Sequence, residues 1–363
     1  MSKHTNDNAF MLVRLREKGA KLLIITSASL GQKGSGRLPT YEIMDGIPIY
    51  RLYRDQQEIF LFPSKKLRNV LATARAFKPD LILCSQELNM RLALLIQKFL
   101  KKPIVLLVED AGRIFSGEAY PSLKMKTILG YFGIPLGGSR YWSWLCRKAE
   151  ILITCHPRDQ QILASLSMHK KQVFYLPWPS YVPDGFQYAY TRDKRRGIYV
   201  GSLYPFKNTQ EFERTLPLIL EKTNTEQFTI VGPGPHSAII KALKRRYGNS
   251  IQYINQLSRT EALKLISGCF YAYTPVKIGG WGFIGDCWSM RTPIVMTHND
   301  NYVTSNVNAL VARNENDLVE NIRRLYNDPE LYGRLQRNGY EEYTKRKADA
   351  IGDKLYCILE KAL

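Results

Sequence analysis

Apolar residues along this chain gather in short continuous runs. Between the runs lie longer stretches in which they return every three or four positions. The runs read as buried parallel strands and the spaced stretches as helices packed on them. In the first half the pattern predicts a helix over 9–18, closed by Gly19, and strands over 21–26 and 47–52. The second of these is entered through the turn-forming pair Asp45-Gly46. An amphipathic basic helix over 64–77 follows, then a strand over 80–84 and a helix over 89–100. The run PIVLLV (103–108) predicts a fully buried strand, and 151–155 and 172–176 predict the last two strands of this half.

Around 183–196 the composition turns to tyrosines and charges, which reads as a linker. A second series then begins, with strands at 197–201, 228–231, 251–254, 270–275 and 293–297. Helices at 209–222, 236–247 and 260–268 alternate with them, and from 316 onward the chain is nearly all helix. Strand and helix in alternation predict an α/β architecture of two doubly wound domains with a cleft between them. The expected boundaries are 1–190 and 191–345, with a terminal helix over 346–363 packing back toward the first domain. Ligands of such sheets sit at the C-terminal strand ends, where strand order reverses.

The 363 residues carry 52 Lys and Arg against 32 Asp and Glu, a net charge of +20. Up to residue 190 there are 27 basic and 14 acidic residues, and beyond it 25 and 18, so the excess is +13 and +7. This balance favours phosphorylated ligands, polyanions or an anionic membrane surface. The six cysteines include no CxxC pair and read as reduced thiols, and the polar start has no signal-peptide core, so a cytoplasmic location is expected. The five histidines show no metal-ligand spacing, and His298 reads as structural. Residues 124–148 interleave lysines and arginines with Tyr131, Phe132, Tyr141, Trp142 and Trp144. That mixture suits the inner face of a membrane, and equally a helical cover over the first sheet.

Three strand-to-helix junctions in the second half carry phosphate chemistry. The first, YVGSLYPFKN, ends a strand at Gly201, places Ser202 after it, and offers the Lys207 ammonium six residues on. The second is VGPGP, with Gly232, Pro233 and Gly234 opening a strand end toward a helix N-terminus. The third is GGWGFIGD, read as a glycine loop whose amides surround a diphosphate, with Asp286 at the start of the next helix to accept ribose hydroxyls. Singly, each has a plainer reading: a turn glycine, a solvated lysine, an N-cap carboxylate. Their order within one domain is what gives them meaning together.

These residues resemble the group 1 retaining glycosyltransferases, nucleotide-sugar-dependent enzymes of GT-B architecture. The resemblance runs from YVGSLYPFKN through FTIVGPGP, IQYINQLSRTEALKLISGCFYAYTP and GGWGFIGDCWSMRTPIV into the helical tail, about 197–340. It implies two Rossmann-like domains facing a cleft. It implies that Lys207 meets the donor phosphates, while Gly232, Pro233 and Gly234 with the Gln256-Leu257 turn flank the base. The loop with Gly280, Trp281, Gly282, Phe283 and Ile284 would hold diphosphate and sugar, and Asp286 the ribose.

Four departures stand out against the family pattern. Ser202 replaces an arginine, and Ile278 stands where the first glutamate of the Glu-x7-Glu motif belongs. Glu109, followed by Asp110, occupies the place of a histidine after the strand at 103–108. With Lys207 and Asp286, Glu109 makes the candidate catalytic set. The family's first strand is also expected to be missing. No Asp-x-Asp occurs, so the donor diphosphate is expected to be neutralised by Lys207 and amides, with no metal and no cofactor beyond a UDP- or GDP-linked co-substrate.

The expected function is retaining transfer of a sugar to a lipid-linked or cell-surface glycan, peripheral to the membrane. The alternative is a nucleotide-sugar-binding protein of the same fold without turnover. A nucleic-acid binder ranks last, since no basic repeat or known motif supports it.

Overall fold

The computed structural model describes residues 7–28, 38–54, 58–59, 63–85, 89–108, 138–183, 185–186, 191–276, 281–298 and 302–363. The chain divides into two compact units, one of residues 9–177 with 351–363, the other containing 178–350.

In the first unit, β1 (Ile24–Ser27), β2 (Tyr41–Met44) and β3 (Ile47–Tyr53) form a sheet in the order β1-β3-β2. β1 runs parallel to β3, and β2 antiparallel. Asp45 and Gly46 both have positive φ (48° and 71°), the geometry a two-residue hairpin requires. β2 escapes the hydrophobic pattern because Tyr41 and Ile43 point to solvent. A second, all-parallel sheet orders β4 (Ile82–Ser85), β5 (Ile104–Val108), β6 (Ile151–Thr154) and β7 (Gln172–Tyr175) in sequence. β5 is buried at every position, as its unbroken apolar run dictates.

Among the described residues this unit has the helices α1 (Asp7–Glu17), α2 (Leu67–Phe77), α3 (Met90–Leu100), α4 (Gly138–Lys148) and α5 (Asp159–Leu166), and most of the last helix of the chain joins them. Val70 and Ala74 of α2 pack with Leu92 and Ile96 of α3 in one apolar cluster. Arg14 of α1 bonds Asp353 in the last helix at 2.8 Å, and this partner lowers the Asp353 pKa.

The second unit is a six-stranded parallel sheet. Its strands are β8 (Asp193–Val200), β9 (Gln227–Val231), β10 (Ile251–Ile254), β11 (Cys269–Thr274), β12 (Ile294–Met296) and β13 (Leu310–Val311). Their order is β10-β9-β8-β11-β12-β13. The chain moves outward from β8 to β10, then returns to the other side of β8, so the switch point lies between β8 and β11. Helices α6 (Phe212–Lys222), α7 (Ser237–Tyr247), α8 (Arg259–Gly268) and α9 (Trp281–Ser289) connect these strands. Then come α10 (Glu315–Asn327), α11 (Pro329–Thr344) and α12 (Ala348–Glu360).

The helix starts are chemically marked. Ser258 and Glu261 form a full capping box on α8, and Asp328 caps α11 ahead of Pro329.

Two expectations need correction here. β8 begins at Asp193, inside the stretch read as linker. Its first turns of chain are polar because Lys194, Arg195 and Arg196 face solvent, with Arg195 on Glu226 at 2.9 Å and Arg196 on Asp193 at 3.1 Å. The glycine-rich stretch is also not a loop up to Asp286. α9 starts at Trp281, because an aromatic face overrides the helix-weakening glycines. Trp281 and Trp288, seven residues apart, share that face at 5.6 Å between ring centroids. The Arg346 guanidinium lies 4.7 Å from the Trp281 ring and 4.3 Å from that of Tyr302.

Candidate active site at the C-terminal strand ends

The loops after β8 and β9 are joined backbone to backbone. Gly201 N–H donates to Val231 C=O at 2.9 Å, Leu203 N–H to Pro233 C=O at 2.8 Å, and His236 N–H to Leu203 C=O at 3.1 Å. Gly232 and Gly234 have φ of +146° and +148°. A Cβ on Gly232 would lie 1.9 Å from the Gly201 carbonyl oxygen, and one on Gly234 2.3 Å from that of Leu203. Only glycine permits this approach. The VGPGP sequence is therefore needed to bring two strand ends together, and it leaves Ser202 half-buried at their junction.

Lys207 closes a short 3-10 turn, Pro205–Lys207, immediately before Asn208. Its backbone N–H donates to Tyr204 C=O at 3.0 Å, and the residue is half-buried beside the switch point. Gln256 is exposed and Leu257 half-buried after β10, one step from the α8 cap. The predicted residues of the β8, β9 and β10 loops thus stand at the C-terminal ends of three adjacent strands.

α9 supplies the rest. Trp281, Phe283 and Ile284 are buried side chains. Trp281 Nε1 donates to Pro179 C=O at 3.3 Å, and the Phe283 ring packs edge-on against Tyr199 of β8 at 5.3 Å. These side chains fix the helix against the sheet. The first amides of α9, at Trp281, Gly282 and Phe283, are the ones a helix leaves without internal partners. Ile284 is the fourth residue of the helix.

Asp286 is the sixth residue of α9, not its first, and so is no N-cap. Its carboxylate is 13% exposed and accepts from Arg259 Nη2 at 2.7 Å. Arg259, first residue of α8, also donates through Nε (2.9 Å) and Nη2 (2.7 Å) to Tyr181 C=O. This arginine is a site residue that sequence reasoning missed. Its only signal was its place directly after the Ser258 cap. Glu109, Ile278 and Gly280 lie outside the described residues, as do Tyr131 and Phe132.

A second missed cluster lies next to Lys207. Asn208, in the left-handed region (φ 58°), donates through Nδ2 to Glu211 Oε1 at 2.5 Å and contacts His298 Nε2 at 2.9 Å. Thr297 donates to Glu211 Oε2 at 3.2 Å.

At the opposite edge of the sheet a groove of about 1060 Å³ opens between the starts of β8 and β9 and the end of α6, beside Tyr326. Its arginines are the ones already paired with Glu226 and Asp193. It lies away from the strand ends that carry the phosphate features. Among the described residues no cluster of three His, Cys, Asp or Glu is arranged to hold a metal. No helix among them is long and apolar enough to cross a membrane.

Residues 194–328 match the model of the family described as glycosyl transferases group 1. The fold is GT-B, and the match to the group 1 glycosyltransferase model falls within the second unit. Sucrose-phosphate synthase from Thermosynechococcus elongatus superposes with a TM-score of 0.77 at 16% identity, covering 99% of this chain and 94% of that one. The α,α-trehalose 6-phosphate synthase of Burkholderia multivorans gives 0.69 at 12% identity, covering 99% and 95%. Anabaena HepE, solved in complex with UDP and glucose, gives 0.68 at 14% identity, covering 99% and 97%. A search of curated proteins finds no match.

Proposed function

We propose that this protein is a retaining glycosyltransferase that moves a sugar from a UDP- or GDP-linked donor to a lipid-linked or cell-surface glycan. One observation carries the reading: Lys207 stands beside the switch point of the unit that matches the group 1 glycosyltransferase model, next to strand ends joined through Gly201, Gly232 and Gly234. Such an edge offers a lysine, helix-start amides and close backbone to a diphosphate. As the bond to the anomeric carbon stretches, negative charge builds on the leaving diphosphate. The Lys207 ammonium and the first amides of α9 answer that charge without a metal. Asp286, held by Arg259, presents its second carboxylate oxygen to the ribose. HepE, of the same fold, was solved with UDP, which supports a uridine donor. The likeness of the second half to retaining enzymes supports retention.

The test is release of nucleoside diphosphate from a panel of UDP-, GDP- and ADP-sugars. Turnover of one donor class, lost in Lys207→Ala, supports the reading. Absence of both turnover and binding overturns it. Binding without turnover selects the second reading, a nucleotide-sugar-binding protein, which Ser202 in place of arginine favours.

The acceptor side favours a membrane surface. α2 and α3 contain no acidic residue, and their outer faces expose Lys66, Arg68, Arg75, Lys78, Lys98 and Lys101 around the half-exposed Phe99. Such a face suits anionic headgroups. Of the segment first read as membrane-facing, α4 is described, and its Trp144 is 41% exposed.

A further inference from the structure

We infer that Glu211 is a positioning residue for the donor diphosphate, acting through Asn208 on the Lys207 turn. The inference rests on reading this edge as the nucleotide-sugar site. Glu211 ends the 3-10 turn Thr209–Glu211 and precedes α6, and its side chain is 18% exposed. One carboxylate oxygen accepts from Asn208 at 2.5 Å and lies 3.5 Å from His298 Nε2, while the other accepts from Thr297 at 3.2 Å. Asn208 also reaches the Pro275 carbonyl at 3.5 Å. Glu211 thus ties the loop after β8 to the end of β12, and its partner Asn208 ties it to the end of β11, across the switch point.

The tie has a mechanical reason. Asn208 carries a left-handed backbone conformation that costs a non-glycine residue energy, and its neighbours must hold it there. The carboxylate does so through a charge-assisted hydrogen bond, stronger than a neutral one. Lys207 is the residue just before Asn208, so its placement follows from that of Asn208. Two residues of the same turn add contacts: Thr209 Oγ1 meets His236 Nδ1 of the β9 loop at 2.8 Å, and Gln210 Nε2 donates to Asn208 Oδ1 at 2.7 Å. The turn is held from three directions, and Glu211 is the charged one that crosses the switch point.

A positioning role for one phosphate contact has a readout that general destabilisation does not. The affinities for UDP, GDP and ADP are compared with those for UMP, GMP and AMP by calorimetry, in the wild type, Glu211→Ala, Glu211→Gln and Asn208→Gly. Asn208→Gly keeps the left-handed backbone and removes only the amide. The expected result is a loss of about tenfold in diphosphate affinity in Glu211→Ala and Asn208→Gly, with monophosphate affinity unchanged. Glu211→Gln should recover part of it, and the double variant Glu211→Ala/Asn208→Gly should lose no more than either single one. Equal losses for mono- and diphosphates, or an unchanged diphosphate affinity in variants that keep the wild-type melting temperature, would overturn the inference. Failure of the wild type to bind any of the six nucleotides would instead overturn the proposed function, and the inference with it.

Discussion

The carbonyl oxygen of Gly201 occupies the space that any side chain at Gly232 would need, 1.9 Å from its Cβ position. Two strands of the second unit can therefore close on one another only while residue 232 has no side chain. Gly232→Ala should force the β8 and β9 loops apart, adding backbone strain at φ +146° to the clash. The expected cost is at least about 2 kcal/mol, a fall of roughly 4–8 °C in melting temperature for a unit of this size. Calorimetry checks it, and nucleoside diphosphate binding should fall with it.

Lys207→Ala and Asp286→Asn should separate kinetically. Charge on the diphosphate grows toward the transition state, so Lys207→Ala should lower kcat by on the order of a hundredfold. A ribose contact changes little along the reaction, so Asp286→Asn should act mainly on KM. Steady-state kinetics on the donor that is turned over decides between them.

Arg259→Ala removes the cation that compensates Asp286. Fully buried pairs lose about 3–5 kcal/mol when one partner goes. Arg259 is 27% exposed, so water recovers part of this, and about 2 kcal/mol is expected. Removing both charges in Arg259→Met/Asp286→Asn should cost less than Arg259→Ala alone, which urea denaturation of the two variants would reveal.

The thiols should differ sharply in reactivity. Burial pushes Cys269 up to about 12, since the thiolate would lose its hydration. Cys84, Cys146, Cys155 and Cys287 are also buried, and Cys357 is exposed. Iodoacetamide at neutral pH should label Cys357 in the native protein and the other five only after denaturation, as read by peptide mass spectrometry.

The basic face of α2 and α3 should bring the protein to anionic vesicles. Sedimentation with liposomes should show binding that rises with anionic lipid and falls with salt. Lys98→Glu/Lys101→Glu should abolish it without lowering the melting temperature, as both side chains are exposed.

Much of this was legible in the sequence because burial leaves a mark on composition. The unbroken run over Ile104–Val108 and the glycines at 201, 232 and 234 correspond to a buried strand and a close backbone approach. What escaped was set by partners distant in the chain. Arg259 meets Asp286 across 27 residues and Glu211 meets Thr297 across 86, and no local pattern signals such pairs. The start of α9 was misjudged because its glycines argue for a loop, while the packing of Trp281 against Tyr302 and Arg346 that stabilises the helix comes from later in the chain. The charged start of β8 was misread as linker because its ladder to β9 and β11 is made by backbone, which composition does not report.

A nucleotide sugar is expected to bind at the C-terminal ends of β8, β9 and β10, beside α9. Hydrogen–deuterium exchange with and without saturating UDP- or GDP-sugar tests this most directly. Exchange should slow in peptides covering 201–208, 232–236 and the first turn of α9, with the groove by Asp193 and Glu226 unchanged. Protection at that groove alone, or no protection anywhere under saturating donor, would contradict it.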